Sequence, residues 1–369
     1  MLFSAADRLR RLQGAWLEAI GYGSEPAPSW IAAEMPGMLL RAFPGRTDPA
    51  FPPLILIPAP IKRAYIYDLV SRASVVRRCL AAGRSVFLLE WVEPDRMSAG
   101  FGLADYADRL ISAAREAVGL ASGHSSAVLV GHSLGGTLAA IHAARRPQGV
   151  AALALLESPL VFDPTVDAFA PWLRVPPLAR RLFAGASTVP GSELSLAAVA
   201  AAPEAFLWHR WGDACASFGD PERRDLHLRV LRWALDEMAM PAPLLRDVLQ
   251  SLYRENRLRD GRLEISGRMI GLSGIEAPVL AVVERGSRVV PEAEVLPALT
   301  ATSSPRRAVL TYDGDAGVAL SHVGVLVGQE AHRRLWPQIL DWLSEAINSA
   351  PGPRPRPARR TPPKPRNRR

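Results

Sequence analysis

Gly131-His132-Ser133-Leu134-Gly135, followed by Gly136, stands between the apolar run at 127–130 and an alanine-rich stretch beginning at Thr137. A serine hydroxyl attacks a carbonyl when it is held exposed, beside a general base and near N–H groups that can hold the oxyanion. Glycines at 131 and 135 let the chain turn sharply after a buried strand, which leaves Ser133 strained and facing outward. The Leu134 N–H, at the start of the next helix, is placed to donate to an oxyanion. Strand, tight turn and helix in this order point to a nucleophile. A glycine-rich turn that merely packs is the plainer alternative.

Such a serine needs a rigid sheet beneath it. Apolar runs at 54–57, 85–91, 127–130, 150–156, 278–283 and 307–311 read as strands, and 74–82, 105–121 and 137–146 read as helices. Strands of continuous apolar residues alternating with helices predict a mostly parallel sheet covered on both faces. With the serine at a strand end, this is the pattern of an α/β-hydrolase fold. The alternation lapses over 158–263, a proline-broken, helix-rich stretch that reads as a cap inserted over the substrate pocket, with Trp172, Trp208, Trp211 and Trp233 expected as packing residues. Residues 1–50 read as a lead-in: a helix over 5–20 packing Leu9, Leu12, Trp16, Leu17 and Ile20 on the body, then a loop-rich, proline-punctuated approach. The core then divides into 51–157 and 264–348, with a helical stretch at 330–347 kinked at Pro337 and a tail at 349–369.

In this fold the triad runs serine, acid, histidine, with the histidine after the last strand. Of seven histidines, only His322 falls in that loop; His332 lies in the terminal helical stretch and the rest precede the seventh strand. The acid breaks the pattern. Ser287 stands where an aspartate is expected, and a serine cannot stabilise an imidazolium by charge. Glu157, ending the sixth strand, is the substitute of choice, with Glu284, Asp313 and Asp315 as alternatives. The second oxyanion donor is also irregular. Pro60, in the loop after the 54–57 strand, has no N–H, which leaves Ile61 or Leu134 alone.

The chain resembles the polyhydroxyalkanoate synthase family, a branch of the α/β-hydrolases, most closely its two-subunit type. The likeness spans most of 54–345. It is carried by the run from Leu56-Ile57-Pro58-Ala59-Pro60-Ile61-Lys62 to Leu69, by Val86-Phe87-Leu88-Leu89-Glu90-Trp91, by Asp105-Tyr106 and by Leu252-Tyr253-Arg254-Glu255-Asn256-Arg257-Leu258. Gly267-Arg268, Ile275 to Leu280 and His322-Val323-Gly324 complete it. The resemblance implies an acyl chain held covalently at the elbow and passed to another hydroxyacyl group delivered as a coenzyme A thioester. Three positions depart from it: Ser133 where these synthases resemble one another in having cysteine, Ser287 for an aspartate, and Glu90 for the aspartate usual before Trp91. Neither Cys79 nor Cys215 can take the place of the missing thiol. Because serine relies on base assistance where a thiolate does not, hydrolysis or transfer of esters is favoured over polymerisation.

The net charge of +8 is local: the 19 residues from Pro351 onward carry eight Arg or Lys, no acid and seven prolines, so the rest of the chain is close to neutral. That composition predicts an extended, solvated tail, with a polyanion as a conceivable partner. With 49% apolar residues a sizeable core is available. No apolar run is long enough to span a bilayer, and a cytoplasmic location is expected. The two cysteines, in no metal-ligand spacing, are expected as small buried hydrophobes. The favoured reading is a serine-dependent ester or thioester hydrolase or acyltransferase that needs no cofactor and takes a small ester or acyl-coenzyme A. The competing readings are a non-catalytic protein binding polymer granules or a synthase partner subunit, and a true polymerase with serine in place of cysteine.

Overall fold

A computed structural model describes residues 2–162, 186–201, 203–287 and 289–349. Its sheet comprises β1 (Trp30–Met35), β2 (Met38–Ala42), β3 (Leu54–Ile57), β4 (Val86–Trp91), β5 (Ala127–His132), β6 (Val150–Leu156), β7 (Val279–Glu284) and β8 (Arg307–Tyr312). Their order across the sheet is β1-β2-β4-β3-β5-β6-β7-β8. β2 pairs antiparallel with β1 and β4, and every later pairing is parallel.

Side chains alternate between faces along each strand, so one apolar run feeds two cores. Ile55, Ile57, Leu129 and Leu153 pack on one face with α3 (Ile111–Ser122) and α4 (Leu134–Arg145). Leu54, Leu56, Val128 and Leu280 face the other way, against Trp336, Ile339 and Leu343. Each such side chain, fully buried, contributes roughly 1.5–3 kcal/mol. The strands in the middle of the sheet therefore need no polar alternation. α2 (Val75–Ala81) starts where the Ser74 hydroxyl accepts from the Arg77 N–H at 2.9 Å.

Several expectations are corrected. The lead-in is not merely loop-rich: β1 and β2 form a hairpin turned at Pro36-Gly37, with Gly37 at φ +88°. The apolar stripe of the first helix, α1 (Leu2–Leu17), does not face the body. Leu9, Leu12, Trp16 and Ile20 are exposed, and only Leu17 of the five is buried. Gly14 lies on the packed side, where a Cβ would stand 3.8 Å from Arg232 Cδ and Leu235 Cβ, in ordinary contact. Likewise Trp208 and Trp211 are exposed whereas Trp233 is buried, and Cys215 is exposed whereas Cys79 is buried. The exposed residues lie on elements that pack chiefly on other helices: α1 lies against 191–201 and 221–234, and 209–217 lies against 221–234. Trp172 lies outside the described residues, as does the basic tail.

Between β6 and β7 the described residues are largely helical, with α5 (Gly191–Ala201), α6 (His209–Ser217), α7 (Pro221–Ala234) and α8 (Ala242–Asp247). The last helix, α9 (Trp336–Asn348), carries Pro337 in its first turn, where a missing N–H costs nothing. The irregularity expected at Pro337 instead precedes it, in the π-helical turn Ala331–Leu335. Among the described residues no helix is long and apolar enough to cross a membrane.

Candidate active site

Ser133 follows β5 at φ +55° and ψ −134°, a backbone conformation that non-glycine residues rarely adopt. Its N–H is held by the Leu156 carbonyl of the next strand at 2.9 Å. The crowding explains the glycines around it. A Cβ at Gly135 would strike the Ile57 carbonyl oxygen, and one at Gly131 would strike the Gly136 Cα. The elbow therefore closes only on hydrogen at these positions.

His322 lies in the turn Ser321–Val323 and is buried. It shares with Ser133 and Leu134 the lining of one cavity of about 300 Å³. The walls of that cavity are mostly apolar and include Leu194, Phe206 and Leu249 from the segment between β6 and β7. Neither ring nitrogen of His322 has a hydrogen-bond partner, but Nδ1 lies 3.6 Å from Glu157 Oε2. Burial pushes the imidazole down to about 4, which makes it a neutral ring at ordinary pH.

Glu157 follows β6, fully buried and at φ +47°. Burial raises its carboxyl to about 8, and the opposing influences are the Glu284 N–H and the Ser287 side chain, which both hydrogen-bond to it. The serine at the place of the expected aspartate thus touches the carboxylate that reaches the histidine from the neighbouring strand. The other acids are placed differently. Asp313 is exposed and paired with Arg285 at 2.8 Å, and Asp315 accepts from Tyr312 Oη and from the Glu330 and Ala331 N–H groups. Glu284 is buried, raised to about 7 by desolvation and then by Glu157, and hydrogen-bonded to Ser321.

The loop after β3 runs beside the elbow. The Pro58 carbonyl accepts from Trp91 Nε1 at 2.7 Å, so across this trans peptide the Ala59 N–H points the other way. Ala59, Ile61 and Leu134 all line the cavity. The same cavity holds Arg10, Lys62 and Arg210 about a single carboxylate, Glu237. Arg10 pairs with it at 3.1 Å and Lys62 more closely, while the Arg210 Nε is buried without a hydrogen-bond partner. Burial lowers Lys62 to about 8 even with Glu237 opposing.

A family model for the alpha/beta hydrolase fold matches residues 52–316. The chain belongs to the α/β-hydrolase fold family. This α/β-hydrolase is 27% identical over 294 residues to the poly(3-hydroxyalkanoate) polymerase subunit PhaC of Haloferax mediterranei, covering 79% of the chain and 58% of that protein. The corresponding subunit of Haloarcula marismortui is 28% identical over 302 residues, 79% of the chain and 61% of its own length. The chain thus spans about three fifths of these two relatives. Among solved structures, the Paleococcus ferrophilus monoacylglycerol lipase matches at a TM-score of 0.51 and 15% identity, covering 80% of the chain and 96% of the lipase.

Two residues of this α/β-hydrolase escape sequence reasoning. His132, set aside because it precedes the seventh strand, stacks on His322 with ring centroids 4.7 Å apart, and its Nε2 bonds the His322 carbonyl at 2.8 Å. Burial lowers its imidazole to about 3, so the neutral ring donates that hydrogen bond. Ala59 is the other, masked in the sequence by its neighbour Pro60, which has no N–H. The signal for it was Trp91, whose indole N–H needs a buried acceptor and finds it at Pro58.

Proposed function

We propose that this α/β-hydrolase is a serine-dependent ester or thioester hydrolase or acyltransferase, working through an acyl-enzyme on substrates of the 3-hydroxyacyl type. One observation carries the reading: Ser133 and His322 line the same cavity, and Glu157 lies 3.6 Å behind the histidine. In this mechanism Ser133 Oγ bonds the carbonyl carbon while His322 Nε2 takes its proton. The oxyanion is held by the Leu134 N–H and by that of Ala59 or Ile61. Collapse expels the alcohol or thiol, which leaves with the proton from His322. Water or a hydroxyl acceptor then enters by the same route in reverse. A fluorophosphonate probe is expected to label Ser133 alone in the folded protein, as read by peptide mass spectrometry; an unlabelled Ser133 defeats the proposal.

The charge of the cavity supports a coenzyme A thioester as one form of the substrate. Four cations, Arg10, Lys62, Arg63 and Arg210, against one carboxylate among the described lining residues leave a positive excess, which suits phosphate. Arg210→Gln is expected to raise KM for butyryl-coenzyme A about tenfold, a charge-assisted hydrogen bond's worth, and to change KM for p-nitrophenyl butyrate far less. Steady-state kinetics with the two substrates checks this.

A second reading has a specific observation behind it. The resemblance to polymerase subunits over four fifths of the chain favours transfer to a hydroxyacyl acceptor. Polymer formed from 3-hydroxybutyryl-coenzyme A would establish it, and release of free acid alone would favour hydrolysis.

A further inference from the structure

Asp213, on α6, ties three segments together. Its Oδ1 accepts from the Gly317 N–H at 2.5 Å and its Oδ2 from the Ala319 N–H at 2.7 Å, both in the loop leading from β8 to His322. Oδ2 also accepts from His227 Nδ1 of α7 at 2.8 Å. Burial opposes the charge on Asp213, but His227 and the two N–H groups outweigh it and hold the carboxyl below its ordinary range. No role in the mechanism above uses this carboxylate.

The loop it grips does not adopt a relaxed conformation. Ala319 stands at φ +58°, strained for a residue with a side chain, and such strain persists only where the surroundings over-determine it. Gly317, at φ +87°, lies under α7 so closely that a Cβ would come 2.8 Å from the Arg223 Cβ. From Ala319 the constraint passes directly to the histidine, because the Val323 N–H bonds the Leu320 carbonyl at 3.0 Å and closes the turn around His322.

We propose that Asp213 is a positioning residue for His322: by holding the Gly317 and Ala319 N–H groups, it makes the placement of the imidazole depend on α6 and α7 being seated against this loop. The inference rests on the reading of His322 as the general base. If the two helices lift, the loop loses both acceptors at once, and the ring is released from its place between Glu157 and the cavity. Asparagine cannot substitute. One of its two side-chain atoms is an NH₂ donor, which would face an N–H where an acceptor is required.

The test compares Asp213→Asn, Gly317→Ala and His322→Ala in the full chain. The readouts are kcat and KM for p-nitrophenyl butyrate and the rate of fluorophosphonate labelling of Ser133, each corrected for the folded fraction by near-ultraviolet circular dichroism. Asp213→Asn is expected to lower kcat and labelling together, by about 10- to 100-fold, with KM changed by no more than about twofold. Gly317→Ala, which disturbs the same loop without touching the carboxylate, is expected to act in the same direction. In the His322→Ala background, Asp213→Asn is expected to cost nothing further, whereas a residue that acted only on stability would cost the same in both. Parental kcat in folded Asp213→Asn, alongside a crippled His322→Ala, overturns the inference and leaves the proposed base intact. Parental activity in His322→Ala overturns both.

Discussion

Ser133→Ala is expected to lower the hydrolysis of p-nitrophenyl butyrate and of 3-hydroxybutyryl-coenzyme A by at least about a thousandfold, since the covalent route is lost and only the oxyanion donors and binding remain. The fold should not suffer. The strain at this position is in the backbone, at φ +55°, and is enforced by the Ser133 N–H bond to Leu156 and by the close packing at Gly131 and Gly135. The hydroxyl itself borders the cavity. An unchanged melting temperature with no burst of product would isolate the chemistry, and full activity in Ser133→Ala would remove the nucleophile. Ser133→Cys is the informative companion. A thiolate exchanges with thioesters readily and needs less help from a base, so this variant should keep thioester turnover better than oxoester turnover. Acyl-enzyme formation measured by intact-protein mass spectrometry with matched butyryl esters and thioesters checks the ratio.

The second large effect concerns Glu157 and pH. With its carboxyl raised to about 8 by burial, Glu157 is protonated at pH 7 and, 3.6 Å from His322 Nδ1, carries no charge to steady the imidazolium that forms as Ser133 gives up its proton. Loss of the Glu157 proton supplies that charge beside Nδ1, so Nε2 takes the Ser133 proton at lower cost. We therefore expect kcat/KM to rise through an inflection near pH 8. The limb that an ordinary histidine would give between pH 6 and 7 should be missing, because His322 is pushed down to about 4. Glu157→Gln should erase the inflection and lower the plateau by roughly 10³- to 10⁴-fold, the scale of a lost triad acid. Asp313→Asn, altering an exposed carboxylate paired with Arg285, should leave the profile as it was. The opposite ranking would transfer the role to Asp313.

Stability should move the other way. A carboxyl whose pKa is raised on folding favours the folded state most at pH values below its unfolded pKa, where both states are protonated. That contribution is lost as the pH climbs toward 8 and the buried group must ionise. Glu157→Gln, which stays neutral, should accordingly melt higher than the parent, with a gap that widens from pH 5 to pH 9. A calorimetric series at matched ionic strength reads this directly.

The parts of the molecule legible in the sequence are those where one short-range physical rule dominates. Continuous apolar runs such as Leu54–Ile57 and Val150–Leu156 have no conformation that suits them better than a doubly covered strand, and both strands lie where the runs do. The elbow was legible because its glycines answer to local crowding. The hairpin of β1 and β2 was not, since Pro36 falls at its turn amid a proline-punctuated stretch, and Met38–Ala42 is apolar at every position but Arg41, with no alternation to mark a strand. The outward stripe of α1 marks a different limit. Periodicity identifies an apolar face but says nothing of which way it turns, and here Gly14 and Leu17 lie on the packed side instead. The pairing of Ser287 with Glu157, the stacking of His132 on His322 and the grip of Asp213 on Ala319 all join residues from distant parts of the chain. No spacing rule reaches across such separations.

The division of labour across the sheet bears on how activity arises as the chain is synthesised. Ser133 and Glu157 belong to one β5–α4–β6 unit, so nucleophile and acid leave the ribosome almost together, whereas His322 follows only after α5 to α8 and two further strands. A nascent chain halted before β8 would hold a complete elbow with no base to activate it. On the proposed roles, such a ribosome-bound intermediate stays chemically silent toward cellular esters until the final strand has docked.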